Sequence, residues 1–228
     1  SGVGTFRLQV EESMDFSKGS ASVLEGFKDI PIAIASFILA SFLPKIGLKK
    51  SMLLGLALVS IFCFITPFTN GFWYFKILFL VIGVSFALIK IAVFATIGLI
   101  TNNQKEHGSF MGVLEGVFMG GILLGNIVFS LFIDDANPKS TNWLNMYWFM
   151  GAISLLAFIV LLASKLDESQ AKIEQRKFSE DFKEMLLLIL KPLTIIFVIS
   201  IFLYVLIEQS FQTWFPTFYT DIIKVPPS

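Results

Sequence analysis

Apolar positions in this chain run in long blocks, and polar positions are confined to the intervals between them. The blocks cover residues 28–44, 52–68, 72–100, 110–133, 146–164 and 192–219. None alternates with the period of two that a membrane β-barrel strand would show, and most are close to the roughly 20 residues an α-helix needs to cross the hydrocarbon core of a bilayer. A helix also satisfies every backbone N–H and C=O within its own segment, as lipid requires. The pattern therefore predicts an all-α, polytopic membrane helix bundle. The intervals are 45–50, 69–71, 101–109, 134–145 and a longer polar stretch at 165–191, the one candidate domain linker. Within that stretch Phe182, Met185, Leu186 and Ile189 share one helical face, and Glu180 and Asp181 stand near its start, so a short interfacial helix is expected to lead into Pro192.

Composition agrees with the pattern. Of 228 residues 55% are hydrophobic, and a mean hydropathy of +0.79 is too apolar for a soluble domain of this length. The partner implied is the lipid bilayer. Lysine and arginine then orient the chain, because basic loops are retained on the cytoplasmic side. Lys45, Lys49, Lys50, Lys105, Lys165, Lys172, Arg176, Lys177, Lys183 and Lys191 fall on one side; Arg7, Lys18, Lys139 and Lys224 fall on the other. The first set is expected inside, which makes this a multi-pass plasma (inner) membrane protein with both ends of the chain on the outer side. Trp73, Trp143, Trp148 and Trp214 all fall at the outer ends of spans, where amphipathic rings favour the headgroup region. The chain starts with Ser1 and shows no signal peptide before its first span, so a preceding span is expected upstream, with residues 1–20 as an external segment.

Several chemistries are not called for. Cys63 and His107 each stand alone, which supports neither a disulfide framework nor a metal site. No glycine-rich nucleotide loop or Gly-x-Ser-x-Gly motif occurs, and zero formal charge carries no nucleic-acid footprint. No cofactor and no enzymatic activity are expected.

Polar residues inside the spans carry the candidate chemistry, since an ionisable group at membrane depth is costly unless it faces protein or water. Ser200, Tyr204, Glu208 and Gln212 recur every four residues in the last span, with Gln209 beside them. Tyrosine stacking and amide hydrogen bonds suit a small hydrophilic solute, and the carboxylate is suited to binding that solute or carrying a proton. Lys90 is the other deep charge, and Glu115 on the next, antiparallel span is its expected ion-pair partner. At 1.5 Å per residue the two lie roughly 16 and 10 Å from the same membrane face, a gap that two long side chains bridge. Asn126, three turns from Glu115, extends that polar track. Gly112, Gly116 and Gly120, with Gly121 and Gly125, have the four-residue spacing that lets helices approach closely in lipid, and are expected to serve packing.

The interval after the first span reads Ala40, Ser41, Phe42, Leu43, Pro44, Lys45, Ile46, Gly47, Leu48, Lys49, Lys50. It resembles the cytoplasmic loop between helices two and three of the major facilitator superfamily: glycine, three residues, aspartate, a basic residue, any residue, glycine, two basic residues. Lys45, Gly47 and Lys49 match, Lys50 stands beside them as a further basic residue, and Ala40, Pro44 and Leu48 depart. The resemblance implies a partial major facilitator fold covering about helices two to seven, with five spans over 21–164, the central cytoplasmic loop at 165–191 and the first helix of the second bundle at 192–228. Phe202, Leu203, Tyr204, Val205, Glu208, Trp214 and Pro216 resemble helix seven of the fucose, glucose and galactose proton symporters. The implied activity is secondary active transport of a small hydrophilic solute, such as a sugar, by alternating access with proton coupling, in a protein that is monomeric at full length. Two other classes fit the same spans: a membrane sensor or scaffold that binds a ligand without moving it, and a permease subunit driven by a partner ATPase.

Overall fold

The computed structural model describes residues 30–36, 38, 39, 43, 46–69, 71–132, 140–168, 183 and 187–218, with side chains of the last helix up to Phe211. Residues 1–20, much of the first expected span, and Phe182, Met185 and Leu186 lie outside the described residues. Five long helices follow in order: α1 (Leu48–Ile65), α2 (Phe72–Ile100), α3 (Gln104–Ser130), α4 (Met146–Ala163) and α5 (Pro192–Phe218). A 3-10 turn, Thr66–Phe68, extends α1, and another, Asn142–Asn145, leads into α4. The described part of the first expected span is helical at 30–36, 38, 39 and 43, and no strand occurs among the described residues. Among them, five helices are long and apolar enough to cross a membrane.

Two starts differ from the apolar pattern, each for a local reason. α3 begins at Gln104, six residues before the apolar block. Asn103 caps it by accepting from Glu106 N at 2.9 Å, and Glu106 Oε2 accepts from Asn102 N at 3.0 Å. The Asn103 cap satisfies one orphan donor of the first turn, Glu106 ties back the residue before the cap, and together they let polar residues form the first turns. α1 begins at Leu48, because Gly47 holds a φ of +99°. That positive φ is one L side chains rarely adopt, and it suits glycine.

α1 occupies the middle of a packed trio, between α2 and α4. Small residues set the spacing. A methyl group built on Gly55 would lie 2.7 Å from Ile89 Cγ1 and 3.0 Å from the Ser85 carbonyl on α2, and one built on Gly151 would lie 3.0 Å from the Phe64 ring. Ser60 Oγ also donates to the Gly151 carbonyl at 3.2 Å across the α1 to α4 contact. Close backbone approach is the main source of helix association in lipid, where apolar surface alone gives no net drive. Two apolar clusters fill the ends of the trio. One joins Phe75, Leu78, Phe129, Trp143 and Leu144. The other joins Leu43, Leu48, Met52, Leu88 and Ala92, with Leu166 packed against it.

The first cluster changes the reading of one tryptophan. Trp143 is buried, stacked on Phe75 at 6.2 Å and edge-on to Phe129 at 6.3 Å, so it is a core residue rather than a headgroup anchor. Trp73 does stand exposed, with Lys76 Nζ 4.3 Å from its ring centroid, and Trp148 is exposed beside Phe64 and Phe68.

Candidate functional site

α3 touches α2 only lightly, and between them lies a cavity of about 150 Å³. Its walls are Phe86, Ile89, Lys90, Val93 and Phe94 from α2, and Leu114, Glu115 and Phe118 from α3. Helical spacing explains the set: Phe86, Lys90 and Phe94 recur every four residues and so share one face of α2, while Glu115 and Phe118 are three apart on α3. The Lys90 ammonium lies 5.5 Å from the ring centroids of both Phe86 and Phe94. Phe86 and Phe118 meet across the two helices at 6.3 Å. Two aromatic faces attract the cation by roughly 0.5–2 kcal/mol each, depending on how far water is excluded.

Lys90 and Glu115 thus reach one cavity from facing helices, but their side chains do not close on each other. Among the described residues no ion pair within 4.0 Å joins them, in place of the direct pair expected from their depths. Both side chains are exposed on the open side of the trio. An ammonium beside two rings and a carboxylate that does not close on it leave room for a third polar group between opposite charges. Asn126 is half-buried further along α3 and does not line this cavity.

The other expected site residues fall elsewhere. Around Gly112, Gly116, Gly120, Gly121 and Gly125 there is open space, with no atom within 4 Å of an added methyl, so the packing expected of them is not made within the described residues. Gly55 and Gly151 make the close approaches instead. Among the described residues α5 has no substantial contact with α1 to α4. On it Tyr204 and Gln209 are exposed and Glu208 is half-buried, while Ser200 Oγ donates to the Ile196 carbonyl within the same helix at 2.8 Å. Gln212 is helical, and its side chain lies outside the described residues, as does Trp214.

In the basic loop, Lys45 is outside the described residues and Lys50 is exposed. Gly47, Leu48 and Lys49 meet a residue that sequence reasoning did not single out. Glu168 accepts from Leu48 N at 3.1 Å and from Lys49 N at 2.7 Å, while Lys49 Nζ donates to the carbonyls of Leu162 and Ser164 at 2.9 and 2.6 Å.

This helix order, with a basic loop at Gly47 and a polar segment before α5, has a counterpart among known proteins. Residues 9–226 match the Major Facilitator Superfamily. The chain belongs to that superfamily. It is a multi-pass membrane protein with a partial major facilitator helical bundle, in a superfamily of membrane transporters. The match is to the superfamily rather than to one of its substrate groups. A curated relative, the Protein TsgA homolog of Buchnera aphidicola subsp. Schizaphis graminum, is 24% identical over 223 residues, covering 97% of this chain and 54% of its own length. The chain therefore spans about half of that major facilitator relative. No solved structure matches it.

Proposed function

We propose that this chain is part of a secondary transporter that moves a small hydrophilic solute by alternating access, with the lysine-rich side in the cytoplasm of a cell whose plasma membrane it spans. The observation that carries the reading is the shared cavity of Lys90 and Glu115. Two opposite charges, each costly at membrane depth, face one space without neutralising one another. A solute or proton entering there changes the balance between them, and the helices that bear them are free to respond because α2 and α3 touch so lightly. Tyr204, Glu208, Gln209 and Gln212 on α5 supply a second polar face, suited to hydroxyl groups as on a sugar. Proton coupling falls to the carboxylates Glu115 and Glu208. In the superfamily's architecture the two faces belong to different bundles, whose rocking exposes the site to each side in turn.

Uptake of labelled monosaccharides by the full-length protein in proteoliposomes, under an inward proton gradient, tests the reading. Accumulation that collapses on adding a protonophore is the expected result. Saturable binding without accumulation under any ion gradient would contradict it.

A further inference from the structure

The basic loop departs from the superfamily pattern at Pro44, where the pattern has an aspartate. A carboxylate nevertheless reaches this loop, from 120 residues further along the chain. Glu168 lies just beyond α4 and places both oxygens on the first two backbone N–H groups of α1, at 3.1 and 2.7 Å. Those N–H groups lack intrahelical partners, and the helix dipole makes its N-terminus favour negative charge. Lys49 completes the exchange in the opposite sense. Its ammonium donates at 2.9 and 2.6 Å to the carbonyls of Leu162 and Ser164, the exposed acceptors at the C-terminal end of α4, where positive charge is favoured. Gly47 is part of the fit: a methyl group there would lie 2.9 Å from Glu168 Oε2, in addition to the strain of its φ of +99°. Leu166 anchors the same segment in the apolar cluster around Leu48 and Met52.

We propose that Glu168 and Lys49 form a reciprocal helix-cap latch, in which Glu168, distant in sequence but at the same end of the bundle, supplies the loop carboxylate that Pro44 does not. The latch makes the first residues of the central polar segment part of the α1 N-terminus, so a pull on that segment is delivered to the basic loop. Glu168 is a positioning residue: it holds backbone, not solute. The latch stands on contacts within one bundle, so it holds or fails independently of the transport reading.

Hydrogen exchange of the full-length protein in detergent reads the latch without any solute. In Glu168→Ala the amides of Leu48 and Lys49 are expected to exchange about tenfold faster or more, the ratio for losing roughly one charge-assisted hydrogen bond. Amides of the α2 interior, as internal control, keep their rates. Glu168→Gln, which retains one oxygen acceptor, falls between. Lys49→Met leaves the Leu48 amide protected but, like Glu168→Ala, speeds tryptic cleavage after Lys165, because both side chains hold residues 164–168. Unchanged exchange at Leu48 and Lys49 in Glu168→Ala would overturn the proposal. So would a uniform acceleration across α1 and α2, which would mean general loosening rather than a released cap.

Discussion

The α1 and α2 pair and the α3 and α5 pair are built from similarly apolar segments, yet they end in opposite conditions. In the most apolar stretch of each span, 33% of α1 and 39% of α2 are buried, against 6% of α3 and none of α5. Polar groups divide along the same line. In the packed part they are hydroxyls, satisfied nearby except at Ser85: Tyr74 Oη and Thr66 Oγ1 both donate to the Phe62 carbonyl at 2.8 Å, and Ser60 bonds to Gly151. Full charges deep in the spans, Lys90, Glu115 and Glu208, lie on faces that α1 does not cover. A buried charge needs partners that a close-packed trio with glycine contacts has no room to provide. Packing specificity and chemistry are thus assigned to different faces of the same bundle.

That contrast can be broken first at its densest point. Trp143→Ala removes the ring on which Phe75 and Phe129 meet. It is expected to cost about 3–5 kcal/mol, the usual range for an aromatic removed from a core, seen as a large loss of thermal stability of the full-length protein in detergent. A smaller effect separates the two sets of glycines. Gly55→Ala should destabilise by about 1–3 kcal/mol through overpacking against Ile89 and the Ser85 carbonyl. Gly116→Ala, with open space around it, should be neutral or stabilise by up to about 1 kcal/mol through helix propensity. Equal losses at the two positions, in the same thermal assay, would erase the distinction between packed and open faces. The smallest effect sharpens it. Ser85 Oγ is buried with no hydrogen-bond partner among the described residues, so Ser85→Ala removes an uncompensated hydroxyl from the α1 to α2 contact. It should leave stability unchanged or raise it by about 1 kcal/mol.

How far the sequence foretold this depends on the distance over which each signal acts. The spans were legible because an apolar block is a local property, and α2 has the bounds its block implies. The start of α3 was not read, since the Asn103 cap on Glu106 N extends the helix into residues that look like loop. The meeting of Lys90 and Glu115 on one cavity followed from helix rise and antiparallel order. Their separation did not, because it depends on side-chain conformations that helix register leaves open, with the ammonium beside the Phe86 and Phe94 rings. Trp143 was misassigned because an aromatic residue at a span end carries the same signal whether it faces lipid headgroups or the core. The Glu168 contact was out of reach: it joins residues 120 apart and lies in a polar stretch without periodicity. Glycine spacing likewise marked where α3 has room for a partner, while isolated Gly55 and Gly151 made the contacts within the trio.

The most direct test of the division between packing and chemistry is Lys90→Met in the full-length protein, with thermal stability and solute uptake measured on the same preparation. Methionine keeps most of the length of the side chain, one atom short, and removes its charge. Stability is expected to stay within about 2 kcal/mol of the parent, because losing the two ring contacts of the ammonium is offset by removing a costly charge from membrane depth. Uptake should fall by roughly thirtyfold or more, the ratio for losing about 2 kcal/mol of interaction with a charged partner. A marked loss of stability with uptake per folded molecule unchanged would contradict the account, because Lys90 would then serve the fold and not the solute.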